Sequence, residues 1–327
     1  MKKVSIISPC YNGEKYVVKF FDSLLIQDYQ NVEFIFINDG STDNTEEVFN
    51  TYKPQFEAKG WDVIYIKQEN SGQAAALNAG LKIFSGEYLM WPDSDDILYP
   101  EHISKKVALM EQNPEAGMGF FCLDQINEEE PDVIVKKIKR KTTEDNDPLM
   151  NDLLYNRNMI WPPIASIVRS SAFLDVNPER DIYAGKAGQN FQMYFPLSVK
   201  YKACYSDESC GVYLIRGASH SRSQTDYEKR QFDHEDTWLH TIMRSPLSDE
   251  EKTQAIITSI NHYERMKIKK YTAEHGGQYN MVTQRNYVSC PRIKIKLFGL
   301  IPLLKISNKK DKRSVKLFNF IPFLTLE

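Results

Sequence analysis

Four patterns that would indicate common functions are missing from this sequence. The five cysteines follow neither a CxxC nor a metal-ligand spacing; they are Cys10, Cys122, Cys204, Cys210 and Cys290. We therefore expect free thiols in a reducing compartment, with a disulfide between Cys204 and Cys210 as the alternative. No GxGxxG or Walker A sequence occurs, so the usual phosphate cradle of dinucleotide redox enzymes and P-loop NTPases is absent.

Long apolar segments are also missing. No apolar run approaches the roughly 20 residues that a membrane-spanning helix needs. No signal peptide is expected either, because Met1-Lys2-Lys3 leads directly into a strand-like segment. With 26% charged residues and 42% hydrophobic residues, the chain has the composition of a soluble globular protein. A net charge of −3 argues against general nucleic-acid binding.

The first 110 residues alternate between apolar segments and helical patterns. The predicted buried strands are Val4–Ser8, Val32–Asn38, Val63–Ile66 and Glu87–Trp91. Helical patterns follow the first three, over Glu14–Gln27, from about Ser41 or Thr42 onward, and over Ala74–Phe84. The third has a face of small residues, as close packing on a sheet requires: Ala74, Ala75, Ala76, Ala79 and Gly80. This alternation predicts an α/β fold with a parallel, doubly wound sheet, whose ligands bind outside the carboxyl ends of the strands.

Three carboxylates follow the fourth strand, at Asp93, Asp95 and Asp96. Like charges at this density are unfavourable unless a cation neutralises them, and oxygen ligands suit Mg²⁺ or Mn²⁺. The alternative interpretation is a solvated acidic turn before a helix that starts near Pro100.

Four motifs at the strand ends resemble those of the family 2 glycosyltransferases, which have the GT-A nucleotide-sugar-binding fold. The motifs are Ser8–Asn12, Asn38–Asp43, Gln68–Gly72 with Asn78–Gly80, and Asp93–Asp96. The resemblance implies a Rossmann-like, doubly wound mixed sheet in a GT-A domain (1–225), with a nucleotide-sugar half (1–125) and an acceptor half (126–225). Beyond it, helical periodicity and charge predict a helical extension (226–290), and a basic and apolar tail follows (291–327).

The resemblance also implies roles for individual residues. Pro9 and Tyr11 would line the base pocket, and Asp39 would accept a hydrogen bond from the base imide, usually that of uracil. Asp93 would contact the ribose or a metal-bound water, and Asp95 would hold the metal that bridges the diphosphate and would serve in catalysis. Further polar contacts to the donor are expected from Gln68, Asn70 and Asn78.

The second half departs from the family pattern. Gln189 and Asn190 stand where members commonly show a Glu-Asp pair whose Asp is the catalytic base, and an amide is not a useful base near neutral pH. These residues could position an acceptor, with Asp181 or Asp207 as the base, or they could simply begin a helix. In a later loop, His220 matches a third metal ligand and Arg222 a diphosphate contact; solvation of the loop is the alternative for His220. Trp161 before a strand over Ile164–Val168 would form an acceptor wall or a rigid turn.

The C-terminal tail contains a near-repeat, in which residues 295–306 recur 20 residues later as 315–326. Residues 292–316 contain nine Lys or Arg and a single acid, Asp311. Such segments suit the surface of an anionic membrane. Two β-hairpin arms that pack on the catalytic domain or on a second subunit of a homo-oligomer are the alternative.

Together these features predict a Mn²⁺- or Mg²⁺-dependent glycosyltransferase. It would move a sugar from a UDP-sugar to a glycan or lipid-linked acceptor during surface polysaccharide assembly, in the cytoplasm or at the inner face of the membrane. The main alternative is a noncatalytic nucleotide-sugar-binding subunit that lacks the base. A nucleotidyltransferase ranks third, because Pro9–Gly13 lacks the glycine-rich basic loop such enzymes use.

Overall fold

The computed structural model describes residues 1–140, 149–215 and 227–260, and the backbone of three strands in the tail. The chain divides into two compact units, Met1–Tyr263 and Glu264–Glu327. The boundaries at 225 and 290 stay predictions.

The first unit alternates strands and helices. Its strands are β1 (Val4–Cys10), β2 (Val32–Asp39), β3 (Asp62–Gln68), β4 (Tyr88–Met90), β5 (Ile97–Leu98), β6 (Ala116–Asn127), β7 (Glu130–Ile138), β8 (Ser166–Arg169) and β9 (Lys202–Ile215). Its helices are α1 (Val17–Leu25), α2 (Thr45–Ala58), α3 (Gln73–Leu81), α4 (His102–Gln112), α5 (Leu149–Leu154), α6 (Ser170–Val176), α7 (Gln189–Lys200), α8 (Tyr227–Arg244) and a last helix whose described part covers 249–260.

One mixed sheet joins these strands in the order β3-β2-β1-β4-β8-β6-β9-β5. The four strands β3, β2, β1 and β4 run parallel to one another, which confirms the doubly wound half. The next strand, β8, is antiparallel to both β4 and β6, whereas β6 and β9 are parallel. The sheet is therefore mixed, as expected for the GT-A fold.

Aromatic side chains fill the layer between the sheet and α1 and α2. Phe21 of α1 meets Phe34 and Phe36 of β2 edge-on, and Phe49 of α2 stacks on Phe36 with ring centroids 4.8 Å apart. Each of these rings is fully buried, and burial of one such side chain contributes about 1.5–3 kcal/mol. This layer fixes both helices, and with them the loops at the carboxyl ends of β1 and β2.

The third helix packs unusually close to the sheet. A Cβ atom added to Gly80 would lie 2.4 Å from Cγ2 of Ile7, so only glycine fits there without a shift. The small residues of α3 predicted this close approach, and the structure confirms it.

Some predicted elements differ in detail. The strand expected over Ile164–Val168 starts later, because Pro163–Ala165 form a 3₁₀ turn. Cys204 and Cys210 lie on the same strand, β9, and the four described cysteines are free thiols. The segment after residue 128, which is charged at both ends, forms a hairpin in its described part, where β7 pairs antiparallel with β6.

The second unit contains a three-stranded antiparallel sheet in the order β10 (Lys294–Leu297), β11 (Ile301–Lys309), β12 (Lys312–Leu317). Lys294 is paired with Lys305, Lys305 with Lys316, and Lys309 with Lys312.

Among the described residues, no helix is both long enough and apolar enough to cross a bilayer.

Candidate functional site

The predicted motifs meet at one edge of the sheet. The parallel strands β1, β2, β3 and β4 end at Cys10, Asp39, Gln68 and Met90. Because their carboxyl ends point the same way, the loops that follow them line the same edge.

The first two loops form one hydrogen-bonded unit. Asn12 adopts a positive φ of 51°, a conformation that asparagine tolerates better than most residues. Its main-chain N–H donates to Oγ of Ser41 at 3.0 Å, and its Oδ1 accepts the Thr42 N–H at 2.8 Å. Beside this unit Tyr11 is 51% exposed and Pro9 is partly exposed, so both are accessible to a ligand.

Asp39 connects the second loop to the third. Its side chain is only 3% exposed. Oδ1 accepts from Nε2 of Gln68 at 2.8 Å and from the Ser71 N–H at 3.0 Å, while Oδ2 accepts from the Gly72 N–H at 2.9 Å. A carboxylate offers about four acceptor positions, so about one remains for the base predicted to bind here. Asn70 is exposed beside this carboxylate, and its backbone passes close to Gly40.

The acidic turn has an inner and an outer part. Asp96 is buried, and its Oδ2 accepts the Asp93 N–H at 2.9 Å. Burial raises the pKa of the Asp96 carboxyl well above its usual value, and the nearby Asp93 carboxylate adds to the effect. Asp93 and Asp95 are partly exposed. The turn thus separates the three carboxylates: Asp96 is buried and closes the turn, and the other two remain partly exposed.

This donor set fits a divalent ion only in part. In residues 1–140, 149–215 and 227–260, no group of three or more His, Cys, Asp or Glu side chains is placed to hold a metal. The two carboxylates Asp93 and Asp95 suit Mg²⁺ or Mn²⁺, which take further oxygens from water and phosphate. The predicted third ligand His220 and the predicted diphosphate contact Arg222 lie outside the described residues.

A hydrogen-bonded chain links the acidic turn to the start of α7. Nε2 of Gln189 donates to Oε1 of Gln73 at 2.7 Å, and Nε2 of Gln73 donates to Oδ1 of Asp93 at 2.6 Å. Gln73 is the first residue of α3 and was not among the predicted site residues. Its position directly after the polar loop that ends at Gly72 was the available signal.

Asn190 is fixed by two tryptophans. Its Oδ1 accepts from Nε1 of Trp91 at 2.9 Å, and its Nδ2 donates to the main-chain oxygen of Trp161 at 3.0 Å. Gly188, with φ of 75°, precedes the helix, which starts at Gln189 as predicted. The Asn190 amide thus connects α7 to Trp91, directly after β4, and to the Trp161 segment. An amide offers no basic group.

Three candidate residues remain. Asn78 bonds to the acceptor half (126–225), and Asp181 and Asp207 belong to it. Both polar atoms of the Asn78 amide bond the main chain of Ile182, at 2.8 Å each, which accounts for the residue without a ligand. Asp181 is paired with Arg244 and, at 3.8 Å, with Lys82. It lines a cleft of about 250 Å³ to which no predicted donor-binding residue contributes. Asp207 is exposed on β9.

A buried ionisable pair lies on α4, near Asp96. Lys106 is fully buried, its Nζ donates to the main-chain oxygens of Ile164 and Ser166, and burial lowers its pKa to about 8. Nδ1 of His102 lies 2.7 Å from the Cys210 carbonyl oxygen, so this nitrogen carries the proton and donates it. Nε2 has no hydrogen-bond partner among the described residues, and burial, with Lys106, lowers the pKa of His102 well below its usual value.

Comparison with known proteins gives consistent results. The model of the family "Glycosyl transferase family 2" matches residues 5–173. An uncharacterized glycosyltransferase of Rickettsia prowazekii is 32% identical over 167 residues, which are 49% of this chain and 50% of that protein. Glycosyltransferase GlyA of Streptococcus pneumoniae is 41% identical over 108 residues, 32% of this chain and 15% of GlyA. The matched part thus spans half or less of these relatives.

Two solved structures share the fold. S. aureus TarS 1–349 in complex with UDP-GlcNAc has a TM-score of 0.62 at 20% identity and covers 84% of this chain and 76% of that one. The mannosyltransferase PcManGT of Pyrobaculum calidifontis, in complex with GDP-Man and Mn²⁺, has a TM-score of 0.52 at 14% identity and covers 85% and 76%.

Proposed function

Because the chain belongs to glycosyltransferase family 2, we propose that it transfers a sugar from a UDP-sugar to a hydroxyl of a glycan or lipid-linked acceptor in surface polysaccharide assembly. The observation that carries this proposal is the hydrogen-bonded chain from Asp93 through Gln73 to Gln189. It brings the acidic turn of the donor half and the first turn of α7 together, as a reaction between two bound substrates requires.

On this proposal the donor occupies the edge formed by the loops after β1, β2 and β4. Tyr11 and Pro9 contact the base, Asp39 offers its remaining acceptor position to the base imide, and Gln68 holds Asp39 in place. Asn70 borders the same pocket. The nucleotide-sugars UDP-GlcNAc and GDP-Man named with TarS and PcManGT support this donor class.

Asp93 and Asp95 would hold Mn²⁺ or Mg²⁺. When bound, the ion supplies positive charge against the leaving diphosphate. Asp96 holds the main chain at Asp93, and Gln73 orients the Asp93 carboxylate. Gln189 orients the acceptor from the other side. His220 as a metal ligand and Arg222 as a diphosphate contact belong to this proposal. The base that removes the acceptor proton is assigned to Asp181 or Asp207, which alanine variants of each would distinguish.

The test is a panel of nucleotide-sugars with and without Mn²⁺, followed by release of the nucleoside diphosphate. We expect metal-dependent UDP release from one donor. Asp95→Ala should abolish turnover and metal-dependent nucleotide binding without changing the melting temperature. Asp62→Ala is the matched control, because Asp62 begins β3 at the opposite edge of the sheet and is exposed. Unchanged activity in Asp95→Ala would contradict the proposal that Asp95 holds the metal ion.

A second candidate function follows from the amides at Gln189 and Asn190. A noncatalytic subunit would bind a nucleotide-sugar and transfer nothing. In the same panel it would bind UDP with Mn²⁺, yet release no UDP from any donor, even with acceptors added.

For the tail we propose contact with the anionic inner face of a membrane, because residues 292–316 contain nine Lys or Arg and a single acid. The full chain should sediment with phosphatidylglycerol vesicles and not with phosphatidylcholine vesicles. Lys305→Glu should weaken sedimentation more than Lys19→Glu, which makes the same charge change at an exposed position of the first unit. Equal effects of the two variants would contradict the assignment of membrane contact to the tail.

A further inference from the structure

The hairpin strand β7 carries three consecutive exposed apolar side chains. Val133, Ile134 and Val135 are 52%, 59% and 51% exposed. Successive side chains of a strand point to opposite faces, so exposure of all three means that neither face of the strand is covered here.

One edge of β7 also has no strand beside it. Within the described residues β7 pairs only with β6, and the same part of β6 pairs on its other side with β9. The outer edge of β7 therefore presents main-chain N–H and C=O groups without a strand partner. Such an edge readily accepts another strand.

The charges along this strand are divided into two blocks. Acidic residues precede the apolar centre, at Glu128, Glu129, Glu130 and Asp132. Basic residues follow it, at Lys136, Lys137, Lys139 and Arg140. Asp132, Lys136 and Lys139 are exposed. The strand is therefore complementary to itself when a second copy runs antiparallel to it.

We propose that β7 is a dimerisation edge, which pairs antiparallel with β7 of a second copy of this chain about a two-fold axis at Ile134. In this register Ile134 faces Ile134 of the second copy, and Val133 faces Val135. Asp132 then faces Lys136. Parallel pairing would place like charges opposite each other, so the charge blocks select the antiparallel arrangement.

The pairing would also explain the exposed apolar residues. It would cover Val133, Ile134 and Val135, and it would join the sheets of two chains into one. A single strand edge buries less than a standard interface of about 1,600 Å², so we expect a dimer that dissociates on dilution in the micromolar range.

The experiment is sedimentation velocity on the full chain in 0.15 M salt, at loading concentrations from about 1 to 200 µM. We expect the mass to rise with concentration from 38.0 kDa toward twice that value. Asp132→Lys and Lys136→Asp should each weaken dimerisation at least tenfold. The double variant Asp132→Lys/Lys136→Asp reverses both charges and should restore it. The proposal is overturned if the chain stays monomeric at every concentration, or if the single charge reversals leave dimerisation unchanged.

A cross-link tests the register independently of the charges. Opposite residues of an antiparallel pair have Cα atoms about 4.5–5.5 Å apart, within the range of a disulfide. In a Cys290→Ser background, Ile134→Cys should form a disulfide-linked dimer under mild oxidation. Thr51→Cys, at an exposed position on α2, should not. Equal cross-linking of the two variants, or none at Ile134→Cys, overturns the two-fold register.

Discussion

The loops after β1, β2 and β3, which we call the donor loops because we propose that they bind the donor, and the start of α7 are held by hydrogen bonds. These bonds span very different distances along the chain. In the donor loops the partners are 29 to 33 residues apart, as in Asn12–Ser41 and Asp39–Gly72. At α7 two of the bonds join residues much farther apart, 99 for Trp91–Asn190 and 116 for Gln73–Gln189, and only the bond from Asn190 to Trp161 spans 29 residues. The donor edge is thus built by neighbouring βα units, whereas the acceptor side depends on the complete fold. Substitutions in the donor loops should affect stability and nucleotide binding together. Substitutions at the start of α7 should affect the hydrogen bonds that link the donor edge to the acceptor side.

The largest effect is expected at Asp39. Asp39→Ala leaves two main-chain N–H groups and the Gln68 amide without their acceptor, so the free energy of unfolding should fall by about 3 kcal/mol, and nucleotide binding should be lost. Denaturant unfolding and nucleotide titration measure both. Asp62→Ala, which removes an exposed ion pair with Lys3, should change stability by less than about 1 kcal/mol. Equal stability of the two variants would refute the structural role of Asp39.

At Asn190 we expect a loss of stability and no gain of activity. Asn190→Asp keeps the bond from Trp91 but sets a carboxylate oxygen against the Trp161 carbonyl, so stability should fall by about 2 kcal/mol. Asn156→Asp is the control, because Asn156 only accepts a bond from the Trp161 indole and aspartate can accept it too. Faster turnover in Asn190→Asp would show that the chain lacks only a base at this position.

The buried His102 predicts a pH dependence. Above pH 6.5 the ring is neutral in both the folded and the unfolded chain. As the pH falls below 6.5, the unfolded ring binds a proton that the folded ring does not, so the folded state loses stability.

His102→Asn can keep the bond to the Cys210 carbonyl without a titrating ring. Relative to this variant, the wild type should lose up to about 2 kcal/mol between pH 7 and pH 5. Chemical denaturation at both pH values provides the measurement, and parallel pH profiles for the two proteins would contradict the assignment.

The smallest effect is expected in the hydrogen-bonded chain that joins Asp93, Gln73 and Gln189. Gln73→Ala should leave stability nearly unchanged, because Gln73 is exposed, and should lower kcat/KM about tenfold, or about 1.4 kcal/mol. Gln189→Ala breaks the same chain of bonds, so the double variant should be little worse than either single one. Additive losses would mean that the two amides act separately.

The parts of the fold that follow from local pattern were predictable. The four parallel strands, their polar ends and the small face of α3 depend on neighbouring segments, and they were predicted within a few residues. The separation of Asp96 from Asp93 and Asp95 was not, because the turn places Asp96 inside by a main-chain hydrogen bond that composition does not reveal. Gln73 was missed because its partner Gln189 is 116 residues away. His102 and Lys106 share a helix with the buried Ile103, Val107 and Met110, a spacing that could have identified them.

The position of β5 has a consequence for the order in which the chain can fold. This two-residue strand directly follows the acidic turn, and Ile97 pairs with Val212 of β9. A growing chain can assemble β1 to β4 as soon as their helices are made. Ile97, which directly follows the turn that bears Asp93 and Asp95, gains its partner Val212 only after about 115 more residues have been synthesised. We therefore expect a nascent chain that stops before β9 to contain the formed sheet of β1 to β4 and an unanchored acidic turn, so that the edge proposed to hold the metal is completed late in synthesis.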